Sequence, residues 1–166
     1  MKLRILAALV AVALVVAGVL VYNARLPAPE TSFTTLQGER LDTASLRGKA
    51  VLVNFWATTC STCIEEMPDL ARTYEKFAGA GLEIIAVAMD YDPEPQVRAY
   101  AKKAALPFKV ALDADGEIAL AFEGVRMTPT TFLIDRQGQI VHKYLGKPDF
   151  GKLHALLEEL LANPVK

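Results

Sequence analysis

Hydrophobic and polar positions divide the chain into an apolar N-terminal run and a longer part in which short apolar segments alternate with polar ones. The run from Ile5 to Ala24 contains no charged residue and follows two basic residues, Lys2 and Arg4. About 18–20 apolar residues are enough for a helix that crosses a hydrocarbon core of ~30 Å. The basic start orients the N-terminus toward the cytoplasm by the positive-inside rule. We therefore predict that residues 1–24 form a single transmembrane anchor.

A cleaved signal peptide has the same basic start and apolar core, so it stays open as the alternative for residues 1–24. The run lacks a clear cleavage motif, because Tyr22 stands where cleavage after Ala24 would need a small residue. Both interpretations carry the rest of the chain to the extracytoplasmic side. The predicted topology is a single membrane pass with an extracytoplasmic domain.

Residues 25–31 contain two prolines and few large apolar side chains, which predicts a linker. Residues 32–166 are then long enough for one domain with its own core. Periodicity and turn residues predict the elements of this domain. They are an N-terminal hairpin over Phe33–Leu46, strands at Ala50–Trp56, Leu82–Met89 and Val110–Leu112, helices at Cys60–Phe77, Pro93–Ala105, Gly116–Phe122 and Asp149–Ala162, and a hairpin of Thr130–Ile134 with Gln139–Tyr144. This order predicts an α/β fold, with a mixed central sheet flanked by helices.

The charge balance and the cysteine content reduce the number of function classes that fit the chain. The chain has 18 Lys and Arg residues against 19 Asp and Glu residues, without a basic stripe or an acidic tail. Nucleic acid is therefore not expected as a partner. The two cysteines, Cys60 and Cys63, lie within four residues of each other. Because a structural disulfide framework closes longer loops, this pair indicates a chemical role.

The Cys60–Cys63 pair follows a predicted strand and opens a predicted helix. Unpaired N–H groups and the helix dipole favour a thiolate at that position, and the thiolate is the nucleophilic form of cysteine. Cys63 lies on the same helical face and can attack a mixed disulfide that Cys60 has formed. The sequence thus predicts a redox disulfide in which Cys60 attacks and Cys63 resolves. No dissociable cofactor is required, since the cysteines carry both electrons.

Metal binding is the alternative from another class of protein. A structural zinc site needs four ligands, and beyond the two cysteines only His142 and His154 are available as histidine ligands. We therefore expect no zinc site. Two thiolates suit Cu(I), so a copper chaperone stays open, although no Met-rich or His-rich segment supports it.

Two separated motifs resemble those of the TlpA/ResA-like family, which comprises membrane-tethered bacterial proteins with a thioredoxin fold. Val53–Cys63, followed by Glu66–Pro68, resembles the active-site segment of that family. Met127–Asp135 resembles its second hallmark, a loop with a cis-proline that enters a strand. Thr59 stands where the family commonly has Trp, and Thr62 where it commonly has Pro, which leaves the substrate and the redox potential open.

The resemblance implies a thioredoxin fold and a thiol–disulfide oxidoreductase. It implies that Trp56, Thr128 and Pro129 shape the surface that binds a disulfide-containing protein substrate. Asp90 and Asp92 lie where related proteins have an acidic residue near the cysteines, which makes them candidates for a proton relay. A solvated loop whose aspartates cap the next helix explains these two residues equally well.

The expected direction is reduction of protein disulfides, as in the maturation of cytochrome c or a similar process. An exported compartment is generally oxidising, so the dithiol would need an electron donor in the membrane to stay reduced. An oxidant that introduces disulfides is the alternative, and it differs in redox potential, which the sequence does not supply.

Overall fold

The computed structural model of the protein describes residues 26–162. Eight strands and four α-helices cover most of this range. They are β1 (Leu26–Pro27), β2 (Ser32–Thr34), β3 (Arg40–Asp42), β4 (Ala50–Trp56), α1 (Ser61–Phe77), β5 (Leu82–Ala88), α2 (Glu94–Lys103), β6 (Lys109–Leu112), α3 (Glu117–Ala121), β7 (Thr130–Ile134), β8 (Gln139–Leu145) and α4 (Phe150–Ala162). Two short 3₁₀ turns, Thr43–Leu46 and Ala78–Ala80, complete them.

The membrane anchor predicted for residues 1–24 lies outside the described residues. Between residues 26 and 162, the helices are all too short or too polar to cross a bilayer.

Six strands form one mixed sheet in the order β1-β8-β7-β4-β5-β6. β4, β5 and β6 run parallel, while β4 with β7, β7 with β8, and β8 with β1 are antiparallel. All seven residues of β4 and of β5 are buried, as expected for strands that are covered on both faces. The predicted mixed sheet flanked by helices is confirmed.

The two faces of β4 pack into separate hydrophobic clusters, because successive side chains point to opposite faces. One cluster joins Leu52 and Trp56 to apolar residues of α1, α2 and α4. The other joins Val53 and Phe55 to the N-terminal hairpin, α3 and β7. Aromatic rings fill the second cluster, with the rings of Phe55 and Phe122 packed edge to face at 5.5 Å.

The predicted N-terminal hairpin is present as β2 and β3, which form a small antiparallel sheet of their own. It docks onto the edge strand β6 through a bridge between Thr35 and Ala111 and a hydrogen bond from Leu36 N–H to Val110 O at 2.9 Å. The segment predicted as a linker contains β1, which pairs with β8. This strand was not predictable from periodicity, because two residues are too few to show a period.

The carboxyl ends of the parallel strands β4 and β5 lie at the same edge of the sheet. The loop after β4 leads to Cys60 and α1, and the loop after β5 carries Asp90 and Asp92. This arrangement brings the two loops together at one edge of the domain.

Candidate active site

A disulfide joins Cys60 and Cys63, whose Cα atoms are 5.2 Å apart. Cys60 is the N-cap residue of α1 and is half-buried, whereas the Cys63 side chain is fully buried. The backbone N–H of Cys63 donates to Cys60 Sγ at 3.2 Å. The Cys60 sulfur is therefore the more accessible of the two.

A tight turn after β4 places Cys60 at the start of the helix. Cys60 N–H donates to Ala57 O, and Ile64 N–H donates to Cys60 O, both at 3.1 Å. The backbone of Cys60 is extended and becomes helical only at Ser61, so the first N–H groups of α1 point back toward the sulfur. Those groups and the helix dipole stabilise negative charge, which favours the thiolate when the disulfide is reduced.

The proline loop lies at the same end of the sheet. The Thr128–Pro129 peptide bond is cis, as predicted. The last residue pair between β4 and the antiparallel strand β7 is Phe55 with Thr130. Pro129 directly precedes Thr130 and therefore lies near the end of β4 that leads to Cys60. The N–H of Gly146 donates to Pro129 O at 2.8 Å and fixes the loop to the end of β8. Thr128 is half-buried and Pro129 is buried.

The resemblance implied that Trp56 shapes the surface around the cysteines. Its side chain, however, is fully buried and is not part of that surface. Its ring packs against Tyr100 of α2, with ring centroids 5.4 Å apart. Within residues 26–162, the indole Nε1 has no hydrogen-bond partner. Trp56 supports the active-site turn from the core and does not itself offer a surface to a substrate.

The two aspartates after β5 have different environments. Asp90 is exposed, and its carboxylate lies beside Gly116. A Cβ added to Gly116 would be 3.5 Å from Asp90 Oδ2. Asp92 is buried and accepts two hydrogen bonds of 2.6 Å from Thr58, one from the backbone N–H and one from the hydroxyl. Neither carboxylate fits the helix-cap interpretation, since the N-cap residue of α2 is Pro93 and it has no side-chain cap bond.

Glu66 is a fully buried carboxylic acid on α1, three residues after Cys63. Residues at this spacing are neighbours on a helix surface, with Cβ atoms about 5–6 Å apart. Asn54 Nδ2 donates to Glu66 Oε1 at 2.8 Å and to Thr131 Oγ1 at 2.9 Å. Among the described residues, the second carboxylate oxygen of Glu66 has no hydrogen-bond partner.

Burial raises the pKa of Glu66 to about 7, because loss of water disfavours the carboxylate. The hydrogen bond from Asn54 and the positive charge of Lys147 lower this pKa, whereas the negative charge of Asp69 raises it. Lys147 Nζ and Asp69 Oδ2 form an ion pair at 2.8 Å. With a pKa near neutrality, Glu66 can release or accept a proton beside the buried cysteine.

Comparisons with known proteins agree with this geometry. The family model described as Redoxin matches residues 23–157. The chain belongs to the Redoxin family. It is 35% identical over 133 residues to the thiol-disulfide oxidoreductase ResA of Bacillus anthracis, covering 80% of this chain and 76% of the relative. A solution structure from Neisseria meningitidis, of a protein assigned as a thioredoxin, is 38% identical with a TM-score of 0.77, covering 84% of this chain and 93% of that one.

A crystal structure of a thiol:disulfide interchange protein from Chlorobium tepidum is 30% identical to this Redoxin-family chain. Its TM-score is 0.75, and the match covers 83% of this chain and 97% of that one. The predicted resemblance, the thioredoxin fold and the thiol–disulfide oxidoreductase activity are confirmed together by these relatives and by the Cys60–Cys63 pair.

Sequence reasoning on this Redoxin-family chain missed Glu66 and Asn54 as members of the site. The available signal was the face of α1 that carries Cys63, Met67 and Leu70, on which Glu66 also lies. A charged residue on an apolar helix face needs a partner or a shifted pKa. Asn54 gave a similar signal, as a polar residue inside a strand that is otherwise apolar.

The two histidines considered as metal ligands have structural neighbours. The ring of His142 packs on Tyr144 with centroids 4.2 Å apart, and His154 Nε2 shares a hydrogen bond of 2.9 Å with Thr73 Oγ1. Across residues 26–162, the acidic, histidine and cysteine side chains do not assemble in groups of three or more that could hold a metal ion.

Proposed function

We propose that this thiol–disulfide oxidoreductase reduces disulfides of partner proteins on the extracytoplasmic side of a bacterial membrane. The Cys60 thiolate attacks a substrate sulfur, the substrate S–S bond breaks, and a mixed disulfide forms while one substrate thiolate leaves. Cys63 then loses its proton and attacks Cys60 Sγ, which releases the second substrate thiolate and forms the Cys60–Cys63 disulfide. Two electrons pass from the dithiol to the substrate.

The observation that carries this proposal is the unequal environment of the two sulfurs. Cys60 is half-buried at the N-terminus of α1, where its thiolate is stabilised and a substrate can reach it. Cys63 is fully buried, one helical turn from the Glu66 carboxyl. Because the pKa of Glu66 is about 7, Glu66 is suited to accept the proton that Cys63 must lose in the resolving step.

Glu66 also favours the reducing direction. A strongly stabilised thiolate stabilises the reduced form and makes the disulfide a strong oxidant. A carboxylate beside the pair opposes thiolate formation, so it shifts the equilibrium toward a better reductant. The sequence analysis gave Asp90 and Asp92 as candidates for a proton relay. Glu66 is the better candidate, because it lies on the same helix as Cys63, three residues away, and its pKa is about 7.

The surface beside the proline loop suits an extended peptide segment around the substrate disulfide. Met127 precedes Thr128 and Leu145 ends β8, and both side chains are strongly exposed, at 64% and 65%. Leu145 pairs with Thr130, the residue after Pro129, so both apolar side chains flank the loop. We propose that Pro129 shapes the loop so that the half-buried Thr128 receives the substrate backbone, and that Met127 and Leu145 contact the apolar side chains of the substrate.

The proposed location of the protein is inferred from its N-terminal sequence. We propose that residues 1–24 anchor the domain in the bacterial inner membrane and that the dithiol is rereduced by an electron donor in that membrane. The basic start and the apolar run from Ile5 to Ala24 support this topology. The candidate substrates include apocytochrome c and copper-site proteins that carry a disulfide.

Trapping with Cys63→Ser tests the proposed chemistry. This variant keeps the attacking sulfur and cannot complete the second step, so we expect mixed disulfides between Cys60 and partner proteins in cells. The matched variant Cys60→Ser keeps the buried sulfur and should trap none. Equal trapping by both variants, or trapping through Cys63 alone, would contradict the assigned roles. Mass spectrometry of the trapped species identifies the substrate.

A further inference from the structure

The loops after β4 and β5 are joined by a closed set of hydrogen bonds beside the cysteines. Met89 N–H donates to Trp56 O, and Asp92 N–H donates to Met89 O, both at 3.0 Å. The carboxylate of Asp92 then accepts from Thr58 N–H and from Thr58 Oγ1–H, both at 2.6 Å. These hydrogen bonds thus connect the end of β4 to the loop after β5, and that loop to the turn that precedes Cys60.

We propose that Asp92 is a positioning residue, which holds the Thr58 turn and thereby the Cys60 sulfur at the N-terminus of α1. This inference rests on the proposed role of Cys60 as the attacking sulfur. Thr58 lies two residues before Cys60, and the turn between them is closed by the hydrogen bond from Cys60 N–H to Ala57 O. A shift of Thr58 therefore moves the sulfur relative to the N–H groups of the first helical turn.

The carboxylate of Asp92 is well suited to this task. The Asp92 residue is 6% exposed, and each of its oxygens accepts a bond from the same residue, Thr58. The two bonds hold both the backbone and the side chain of Thr58. Asp90, two residues earlier, is exposed and is directed toward Gly116, so it supplies a control for charge in the same loop.

Asp92 acts on Cys60 in two separable ways. The two hydrogen bonds fix the turn, which favours the thiolate by holding the sulfur at the helix N-terminus. The negative charge opposes the thiolate. A change that removes a bond should therefore lower the reactivity of Cys60, and a change that removes the charge should raise it. A general loss of stability would not produce opposite shifts in the two variants.

The test compares the alkylation rate of Cys60 by iodoacetamide at pH 7 in the fully reduced full-length protein, with mass spectrometry to locate the label. Thr58→Val removes the hydroxyl bond at nearly constant volume, and we expect about tenfold slower alkylation, because small displacements of reacting atoms are costly. Thr58→Ser keeps the bond and should restore the wild-type rate. Asp92→Asn removes the charge and keeps one acceptor for Thr58 N–H, while its amide N–H can donate to Thr58 Oγ1 in place of the second bond. We expect alkylation of this variant to be about threefold faster. Asp90→Asn should match the wild type.

Alkylation at the wild-type rate in both Thr58→Val and Asp92→Asn would overturn the proposal, even if their melting temperatures fell. Equal acceleration by Asp92→Asn and Asp90→Asn would also overturn it, because the effect would then come from loop charge at a distance. Alkylation reports on Cys60 whatever the direction of electron flow. If Cys63→Ser traps no partner while the alkylation rates follow the expected pattern, the reductase proposal fails and the positioning role of Asp92 stands.

Discussion

The polar residues in the core explain how this domain combines a buried sulfur with proton transfer. Asn54 and Glu66 are each fully buried, and each occupies a position whose neighbours in the core are mainly apolar. Asn54 uses its amide to hold both Glu66 and Thr131, so the acid has a fixed position between β4, α1 and β7. A buried acid with a single hydrogen-bond donor keeps a raised pKa, and that makes it useful near neutrality.

The raised pKa of Glu66 predicts a specific pH dependence of stability. The folded-state pKa of about 7 lies above the ordinary value of 4.5, so the folded state binds this proton more tightly than the unfolded state. The free energy of unfolding therefore falls as the pH rises through this interval, by up to ~3 kcal/mol. Since glutamine does not titrate, we expect Glu66→Gln to be more stable than the wild type near pH 8 and similar to it near pH 4.

Urea denaturation of the oxidised protein at the two pH values measures this difference. Glu65→Gln is the matched control, because Glu65 is the exposed neighbour on the same helix and should show no such pH-dependent gain. If Glu66→Gln changes the unfolding free energy equally at both pH values, the carboxyl does not titrate with a raised pKa.

The secondary-structure elements followed from the sequence where the pattern was long and unambiguous. β4 was predicted with its observed ends, Ala50 and Trp56, because a continuous β-branched and aromatic run defines a buried strand. The same pattern could not show that Trp56 faces the core, since a strand that is buried on both faces has no polar side to mark the outside. The register that brings Pro129 to the end of β4 comes from pairing between distant segments, which one sequence alone does not specify.

The short helix α3 depends on a single buried carboxylate. Asp113 accepts hydrogen bonds from Ile118 N–H at 2.9 Å and from Ala119 N–H at 2.8 Å, and its side chain is almost completely buried. Asp113→Ala leaves both N–H groups without this acceptor, so we expect a loss of about 1–2 kcal/mol in the free energy of unfolding.

Thermal or urea denaturation measures the loss in Asp113→Ala. Asp115→Ala is the control, because Asp115 is exposed and accepts a single bond of 3.2 Å from Glu117 N–H. A smaller effect in Asp113→Ala than in Asp115→Ala would show that Asp113 does not hold this helix.

At the scale of the whole molecule, we predict that residues 1–24 remain in the mature protein and span the membrane. Their apolar run is uncharged and is preceded by Lys2 and Arg4. The full-length protein should stay in the membrane pellet after extraction with alkaline carbonate, whereas a version that begins at Leu26 should be released. Release of the full-length protein, with a mature N-terminus near Arg25, would instead identify a cleaved signal peptide.

The direction of electron flow is the central claim, and the redox potential of the Cys60–Cys63 pair tests it most directly. The domain is equilibrated at pH 7 with glutathione and dithiothreitol buffers, and the oxidised fraction is measured after acid quenching. A potential near the thioredoxin value of about −270 mV is the expected result, because Glu66 opposes the thiolate and disfavours a strong oxidant. A potential near about −120 mV, typical of a strong oxidant, would contradict the assignment as a reductase.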